Sequence, residues 1–448
     1  MEQPLDYLQN LKNQDWLISN NSQYFYQIAT EIYLQLSQLS TQEKPPKIIL
    51  AEREPVRFLA IFIAACAAKC PVFLCNPDWA ENEWQQVFDL VQPDIVWGLD
   101  NISFQPPSGN YQSRITNYIM IPTGGSSGKI KFAIHTWETL TASVQGFTEY
   151  FQLNAVNSFC ILPLYHVSGL MQFMRSFTTG GKLVISPFKE VESYQLANIN
   201  ISNFFISLVP TQLQRLLQNP QLTQWLSQFQ TVLLGGAPPW DELLEEARFH
   251  QIRLGPTYGM TETASQIATL KPDDFLNGKI NSGHILPHAK ITIDNLTENL
   301  NIQAKSLALG YYPQLWINPG HFLVDDIGFL DSDGYLHIIG RSSNKIITGG
   351  ENIYPAEIES AIRKTNLIID VCVIGIPDKY WGQALTAIYI PKHPNTSNLE
   401  IETQLKSQLS KFKIPKYWIP LPNLPRNAQG KINRQQIQQI AEDFLPSI

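Results

Sequence analysis

The run Thr123-Gly124-Gly125-Ser126-Ser127-Gly128-Lys129-Ile130-Lys131 gathers three glycines, hydroxyl side chains and two lysines with almost no apolar surface. Glycines let backbone N–H groups approach an anion, hydroxyls add donors and lysines add charge, so such a run can cradle phosphate. It is not a Walker loop. That pattern needs four residues between its glycines and a Ser or Thr directly after its lysine, whereas three residues separate Gly124 from Gly128 and Ile130 follows Lys129. Read from these residues alone, a plain Gly/Ser loop is an equal alternative.

A second spacing bears on chemistry. In Tyr165-His166-Val167-Ser168-Gly169-Leu170-Met171-Gln172-Phe173-Met174-Arg175, Ser168 and Arg175 lie seven apart. On a helix that puts them two turns apart on nearly one face, beside an otherwise apolar pocket holding Met171 and Phe173 or Met174. A buried guanidinium without a partner is heavily penalised, so it suits a substrate with a second carboxylate, which arginine binds bidentately. An Arg175 pointing outward on its long stem is the alternative. By residue type alone, His166 reads as a satisfied core histidine, Thr261-Glu262 as a helix-start turn and Lys431 as a surface lysine.

The elements that position these residues follow from the apolar pattern. "KIILA" and "PVFLC" flank a long apolar helix, and "DIVWGL", "NYIMIPT", "SFCILPL", "KLVISP", "NFFISLVP" and "TVLLGGA" are further apolar runs ending in turn residues. Strand–helix–strand alternation predicts an α/β protein with parallel sheets. Ligands bind beyond the carboxyl ends of such strands, so the loops "IPTGGSSGK", "LPLYHVSG" and "LLGGAPP" are expected to converge. The first forty or so residues read as surface-packed helices. Composition changes near residue 340, which predicts a boundary at Arg341 to Ser343. Residues 1–341 then form a large N-terminal domain of mixed, mostly parallel sheets, and 342–448 a small α+β domain.

At 448 residues the chain exceeds one ordinary core. A net charge of −7 with scattered basic residues gives no reason to expect nucleic acid. The start of the chain lacks a signal-peptide pattern, and the longest apolar run, Phe58 to Ala68, is too short to span a membrane. Five cysteines, Cys66, Cys70, Cys75, Cys160 and Cys372, have no zinc-type pairing. They read as buried thiols in a reducing compartment, hence a cytoplasmic protein. Oligomeric state stays open, homo-oligomers included.

Five further segments join the opening loop: "LPLYHVSG", "GGAPP", "PTYGMTETASQ", "DDIGFLDSDGYLHIIGRSSNKIITGGENIYPAEIE" and "PRNAQGKINR". In this order they resemble the adenylate-forming acyl-CoA synthetases and adenylation domains, from about residue 121 to the end. The resemblance implies a mobile small domain serving two half-reactions, with ATP, Mg²⁺ and CoA. It makes Thr123, Gly124, Gly125, Ser126, Ser127, Gly128 and Lys131 the family's phosphate loop. The usual ending is Pro-Lys-Gly, against Ile130-Lys131-Phe132 here, so an altered loop shape is expected. Tyr258 would lie on adenine with Gly259 and Met260 beside it, Thr261 would bond the α-phosphate and Glu262 would hold Mg²⁺. The backbone of Gly235, Gly236 and Ala237 would border adenine and acyl group, a place that requires glycine. Asp326 and Arg341 would take the ribose. Val324-Asp325 stands where Thr-Gly is usual, and Asp325 is expected either to weaken ATP binding or to point to water. Ser343 takes the hinge position, small enough to turn but a weak anchor. Lys431 would enter the adenylation site, a cation between two reacting anions. Gly349 and Gly350 would line the pantetheine tunnel after rotation, and His166 would gate between acyl pocket and tunnel.

The Arg175 offset, "YGMTETASQ", "GGENIYPAEIE" and the short chain are similar, within that superfamily, to the 2-succinylbenzoate:CoA ligases of menaquinone and phylloquinone synthesis. This implies an aromatic dicarboxylic acid in a pocket of His166, Ser168, Gly169, Arg175 and Gly235, with Arg175 on the unreacted carboxylate. A ligase for another aryl or medium-chain acid, a carrier-loading adenylation enzyme and a nucleotide-binding protein without chemistry are the other readings.

Overall fold

The computed structural model describes residues 2–18, 21–39, 45–99, 117–124, 130–195, 199–294, 296–318, 320–348, 351–378, 380–406, 408–426 and 431–444. Among them the apolar runs pair as parallel strands. Ile48–Leu50 pairs in parallel with Val72–Leu74 and with Ile95–Trp97, and Val72–Leu74 pairs in parallel with Ile119–Gly124. Ile48, Ile49 and Leu50 are all completely buried, the pattern of strands covered on both faces. Between the first two strands runs the helix Pro55–Ala67, started by Pro55 and by the Glu54 carboxylate, which accepts from the Val56 and Arg57 N–H groups.

A second sheet orders its strands as Leu17–Ile18, Leu183–Ile185, Asn157–Cys160, Phe204–Leu208, Thr231–Leu234, Leu254–Met260, Ser265–Thr269 and His284–Ile285. Its pairings are parallel up to Leu254–Met260 and antiparallel beyond. An antiparallel sheet of Ala289–Ile293, Asn299–Ala304, Phe322–Leu330 and Leu336–Arg341 follows. The mixed, mostly parallel α/β architecture expected from the sequence is therefore present.

The last sheet contains Ile346–Thr348, Glu351–Ile353, Ile368–Asp378, Gly382–Pro391 and Tyr417–Pro420. One of its faces packs Ile358, Ile362, Ile401 and Leu405, and the other packs Ile437 and Ala441. The helix Pro355–Lys364 meets the helix Asp241–Phe249 through Lys364 Nζ and Asp241 Oδ2, 2.7 Å apart. Nearby, the Arg363 guanidinium lies 5.6 Å from the Trp240 ring centre. The lysine pair is partly exposed, so it contributes at most about 1 kcal/mol.

The N-terminal helices Pro4–Asn10 and Ser22–Leu39 are less peripheral than expected. Phe25 and Trp16 enter the main core and pack edge-on and tilted against Phe173 and Phe177. All five cysteines are buried and none is in a disulfide, and burial pushes the Cys160 thiol up to about 12. Among the described residues no helix is long and apolar enough to cross a membrane.

Candidate active site

The carboxyl ends of the parallel strands carry the loops that the sequence places together. At the end of Thr231–Leu234, the Gly235 N–H donates to the Leu208 carbonyl at 3.1 Å. A Cβ on Gly235 would fall 2.5 Å from Thr257 Oγ1. Gly236 has φ +83° and faces the lysine of the small domain: its Cβ position is 3.9 Å from Lys431 Cε. Ala237 is exposed beside it.

Glu262 sits in the short turn Thr261–Thr263, between the strands Leu254–Met260 and Ser265–Thr269. Four successive carbonyls fasten that turn to different segments. His135 Nε2 donates to the Thr261 carbonyl at 2.8 Å, the Ala308 N–H to Glu262 at 2.7 Å, Ser306 to Thr263 at 2.8 Å and Ser143 to Ala264 at 2.7 Å. Burial pushes the His135 imidazole down to about 4, so it acts here as a neutral donor. Ala264 and Ser265 follow with φ of +50° and +87°, each costing about 1 kcal/mol or more in a non-glycine residue. The four bonds hold that strained bend, which turns Ser265 and Gln266 toward Arg175.

The Glu262 side chain is buried. Its Oε1 accepts from the Tyr311 hydroxyl at 2.6 Å and from Thr123 Oγ1 at 3.5 Å. Lys131 Nζ lies 5.5 Å from the Tyr311 ring centre. Thr123, Lys131 and Glu262 thus meet around Tyr311. Phe132 is completely buried and packs edge-on against Phe73 at 5.2 Å between ring centres. The loop's departure from Pro-Lys-Gly therefore serves a strand and an aromatic core as well as a loop. Gly125, Ser126, Ser127 and Gly128 lie outside the described residues, as do Gly349 and Gly350.

Antiparallel register sets Asp326 opposite Arg341. Arg341 Nε donates to Asp326 Oδ1 at 2.9 Å, and the Tyr258 hydroxyl donates to Oδ2 at 2.8 Å. Burial, then Asp326, pushes the Tyr258 hydroxyl well above its ordinary value. Gly259 sits at a bulge where a Cβ would fall 2.2 Å from the Ser265 carbonyl oxygen, and Met260 is half-buried.

Asp325 is exposed, and its carboxylate accepts from the Ser343 N–H at 3.1 Å and from the Ser343 hydroxyl. Ser343 is thus tied down more firmly than its size suggests, and the anchoring carboxylate comes from the neighbouring strand.

Lys431 is exposed yet flanked by protein. Burial, then Arg341, pushes its ammonium below the ordinary lysine value, while Glu262 and Asp326 pull the other way. His166 precedes the helix Val167–Thr179, and burial, then the Lys431 charge, pushes its imidazole down to about 4. It is neutral near pH 7. Glu262, Asp326, Arg341, His166 and Gly236 surround Lys431, so the small domain delivers the lysine among the residues that the motifs singled out.

Arg175 faces inward and is 2 % exposed. One terminal nitrogen donates to Gln266 Oε1 at 2.9 Å and to Ser265 Oγ at 3.3 Å, and the guanidinium lies 4.2 Å over the Phe147 ring. None of its bonds among the described residues goes to a carboxylate, and its Nε has no partner there. Burial pushes it down to about 9, still cationic near pH 7. Ser168 is half-buried on the same helix.

Phe173 departs from the reading above. It stacks on Phe177 at 5.0 Å and meets Trp16 and Phe25, because two residues along a helix is about 200° and puts it opposite Arg175. Met171 and Met174 are also in the core cluster. Gly169 is explained by packing, since a Cβ would fall 2.2 Å from the Pro163 carbonyl oxygen. Sequence reasoning missed Tyr311, His135 and the roles of Ser265 and Gln266. The last two stood in a recognised motif, but nothing in it signalled a partner 90 residues away.

The model of the AMP-binding enzyme family matches residues 106–306, and that of the AMP-binding enzyme C-terminal domain matches residues 357–431. The chain is 35% identical over 324 residues to a 2-succinylbenzoate–CoA ligase of Listeria monocytogenes, covering 71% of this chain and 68% of the relative. The o-succinylbenzoate CoA synthetase of Bacillus subtilis, solved with its acyl-adenylate intermediate, superposes with a TM-score of 0.81 at 22% identity, covering 96% of this chain and 97% of that one. The same enzyme with ATP and magnesium gives 0.77 at 23% identity, covering 96% and 98%. A fold of two mixed sheets with a small lysine-bearing domain, the two matched family models and the Listeria relative lead to one assignment: the chain belongs to the AMP-binding enzyme family.

Proposed function

We propose that this protein is a 2-succinylbenzoate:CoA ligase of menaquinone or phylloquinone biosynthesis, an AMP-forming acid–thiol ligase. The observation that carries the reading is Arg175, a buried cation bonded to Ser265 and Gln266, just after the Glu262 turn, with no carboxylate partner among the described residues. A dicarboxylic acid supplies that partner, and the named relatives act on one.

In the first half-reaction a carboxylate of the acid attacks the α-phosphorus of ATP and pyrophosphate leaves. The phosphate loop with Lys131 holds the leaving phosphates, Thr261 bonds the α-phosphate, and Tyr258, Asp326 and Arg341 hold adenosine. Lys431 places positive charge between the two anions, where they repel most in the transition state. Among the described residues no group of three or more His, Cys, Asp or Glu gathers to hold a metal. A lone Glu262 carboxylate fits Mg²⁺, which takes one or two carboxylates and fills its shell with phosphate oxygens and water. When bound, Mg²⁺ neutralises charge on the phosphates.

In the second half-reaction the thiol of CoA displaces AMP and forms the thioester. We propose that residues 342–448 turn as a unit about Ser343, withdraw Lys431 and bring Gly349-Gly350-Glu351 to the pantetheine path. His166, neutral and half-buried beside Lys431, suits a gate better than a general base. Five buried thiols outside any disulfide favour a cytoplasmic enzyme.

The test is turnover with ATP, Mg²⁺, CoA and 2-succinylbenzoate beside benzoate and octanoate, following pyrophosphate and thioester mass together. Succinylbenzoyl-CoA should form at least about 100-fold faster than the other thioesters, because unpaired buried polar groups reject acids lacking the second carboxylate. Pyrophosphate release only with another acid would remove the substrate assignment.

Tyr311 supplies a second expectation. Its hydroxyl orients the Glu262 carboxylate, and loss of such an outer partner typically costs 10–100-fold in metal affinity or activity. Tyr311→Phe should raise the Mg²⁺ concentration for half-maximal pyrophosphate release about 10-fold. An unchanged Mg²⁺ curve would mean that the hydroxyl serves folding alone.

A further inference from the structure

His288 lies in the turn between the strands His284–Ile285 and Ala289–Ile293. It is 8 % exposed, and neither ring nitrogen has a hydrogen-bond partner among the described residues. Such groups are rare, because a buried polar atom without a partner forfeits its hydration for nothing.

Its surroundings connect it to Arg175. A Cβ on Gly146 would fall 1.8 Å from His288 Nδ1, so the imidazole lies directly across the helix Trp137–Phe151 at its glycine. The next residue on that helix, Phe147, carries the Arg175 guanidinium over its ring. The Arg175 charge acts on the imidazole, which burial first, then Arg175 and Lys305, pushes down to about 4. Arg175 Nε is orphaned in the same region. Three buried nitrogens from two elements are thus without partners next to a strained bend that positions Ser265 and Gln266.

We infer that His288 and Arg175 together receive the unreacted carboxylate of the acid, so that His288 is a second specificity-determining residue; this rests on the function proposed above. A carboxylate has about four acceptor positions, enough for the Arg175 Nε–H and one imidazole N–H at once. Gly146 makes the arrangement possible by leaving room for the ring. An acid without the second carboxylate leaves these donors dry and unpaired, and a site of this kind rejects such analogues strongly.

The experiment compares kcat and KM for 2-succinylbenzoate with those for the two monoacids made by deleting either carboxylate, 4-oxo-4-phenylbutanoate and 2-propanoylbenzoate. His288→Phe keeps the ring volume and removes both nitrogens. It should raise KM for the diacid about 10-fold or more, the effect of one hydrogen bond to a charged group, with kcat little changed and the better monoacid unaffected. His288→Gln, which retains a donor, should recover most of the affinity. Gly146→Ala, which displaces the ring from a different element, should reproduce the His288→Phe result. Equal losses for diacid and monoacid in His288→Phe, or no loss for either, would overturn the inference. A wild-type enzyme that prefers a monoacid would bring down the parent function and this subsite together, whereas a diacid preference undiminished in His288→Phe brings down the subsite alone.

Discussion

Lys431→Ala should lower the rate of adenylate formation by about 10² to 10³, the usual cost of removing one preorganised group aimed at transition-state charge. Thioester formation from supplied succinylbenzoyl-adenylate and CoA should stay within a few fold of wild type, because in the mechanism proposed above that step follows removal of the lysine from the site. The two rates are separable as pyrophosphate release and as adenylate consumption. Equal losses in both would show that the substitution disturbs the small domain rather than the charge. A pH dependence follows from the same residue. Burial and Arg341 push the Lys431 ammonium down in the free enzyme, and bound ATP and acid, being anions, raise it again. As pH rises, kcat/KM for adenylation should therefore fall at a lower pH than kcat does, and Lys431→Ala should abolish that difference.

Arg175→Met should lower kcat/KM for 2-succinylbenzoate about 100-fold, since bonds to charged groups contribute roughly 1.5–3 kcal/mol, and should erase the preference for the diacid. Its thermal stability should be unchanged or higher. The guanidinium is buried on Phe147, Gln266 and Ser265 with no carboxylate partner among the described residues. Replacing such a cation by an apolar side chain of similar volume is commonly neutral or stabilising. Arg175→Lys, which keeps the charge and loses the planar fork, should fall between. Activity lost with stability retained is the signature of a residue kept for its ligand. A melting temperature several degrees lower with substrate preference intact would instead make Arg175 structural.

Ser343, proposed above as the hinge, shows how two residues that look unfavourable apart can meet in space. In the sequence Asp325 is a second carboxylate beside Asp326, and Ser343 a weak anchor. Together they form one contact, with the Asp325 carboxylate on the Ser343 N–H and hydroxyl. The two positions are 18 residues apart, joined by the strand pair Phe322–Leu330 and Leu336–Arg341.

Local and periodic properties were legible in the sequence. Apolar runs such as "KIILA" and "PVFLC" marked buried parallel strands because a strand covered on both faces has no polar side to show. Short motifs singled out Glu262, Asp326, Arg341 and Lys431, which the structure places near one another, and the seven-residue spacing from Ser168 gave Arg175 its helix face. Only the tertiary structure decided which pairs meet. His135 reaches the Thr261 carbonyl over 126 residues, Tyr311 reaches Glu262 over 49, and Arg175 reaches Gln266 over 91. It also turned Phe173 toward the N-terminal helices and set His288 against Gly146. Strand register and helix packing bring these groups together, and such long-range contacts leave no periodic trace in the chain, whereas a buried strand or a glycine turn is written in consecutive residues.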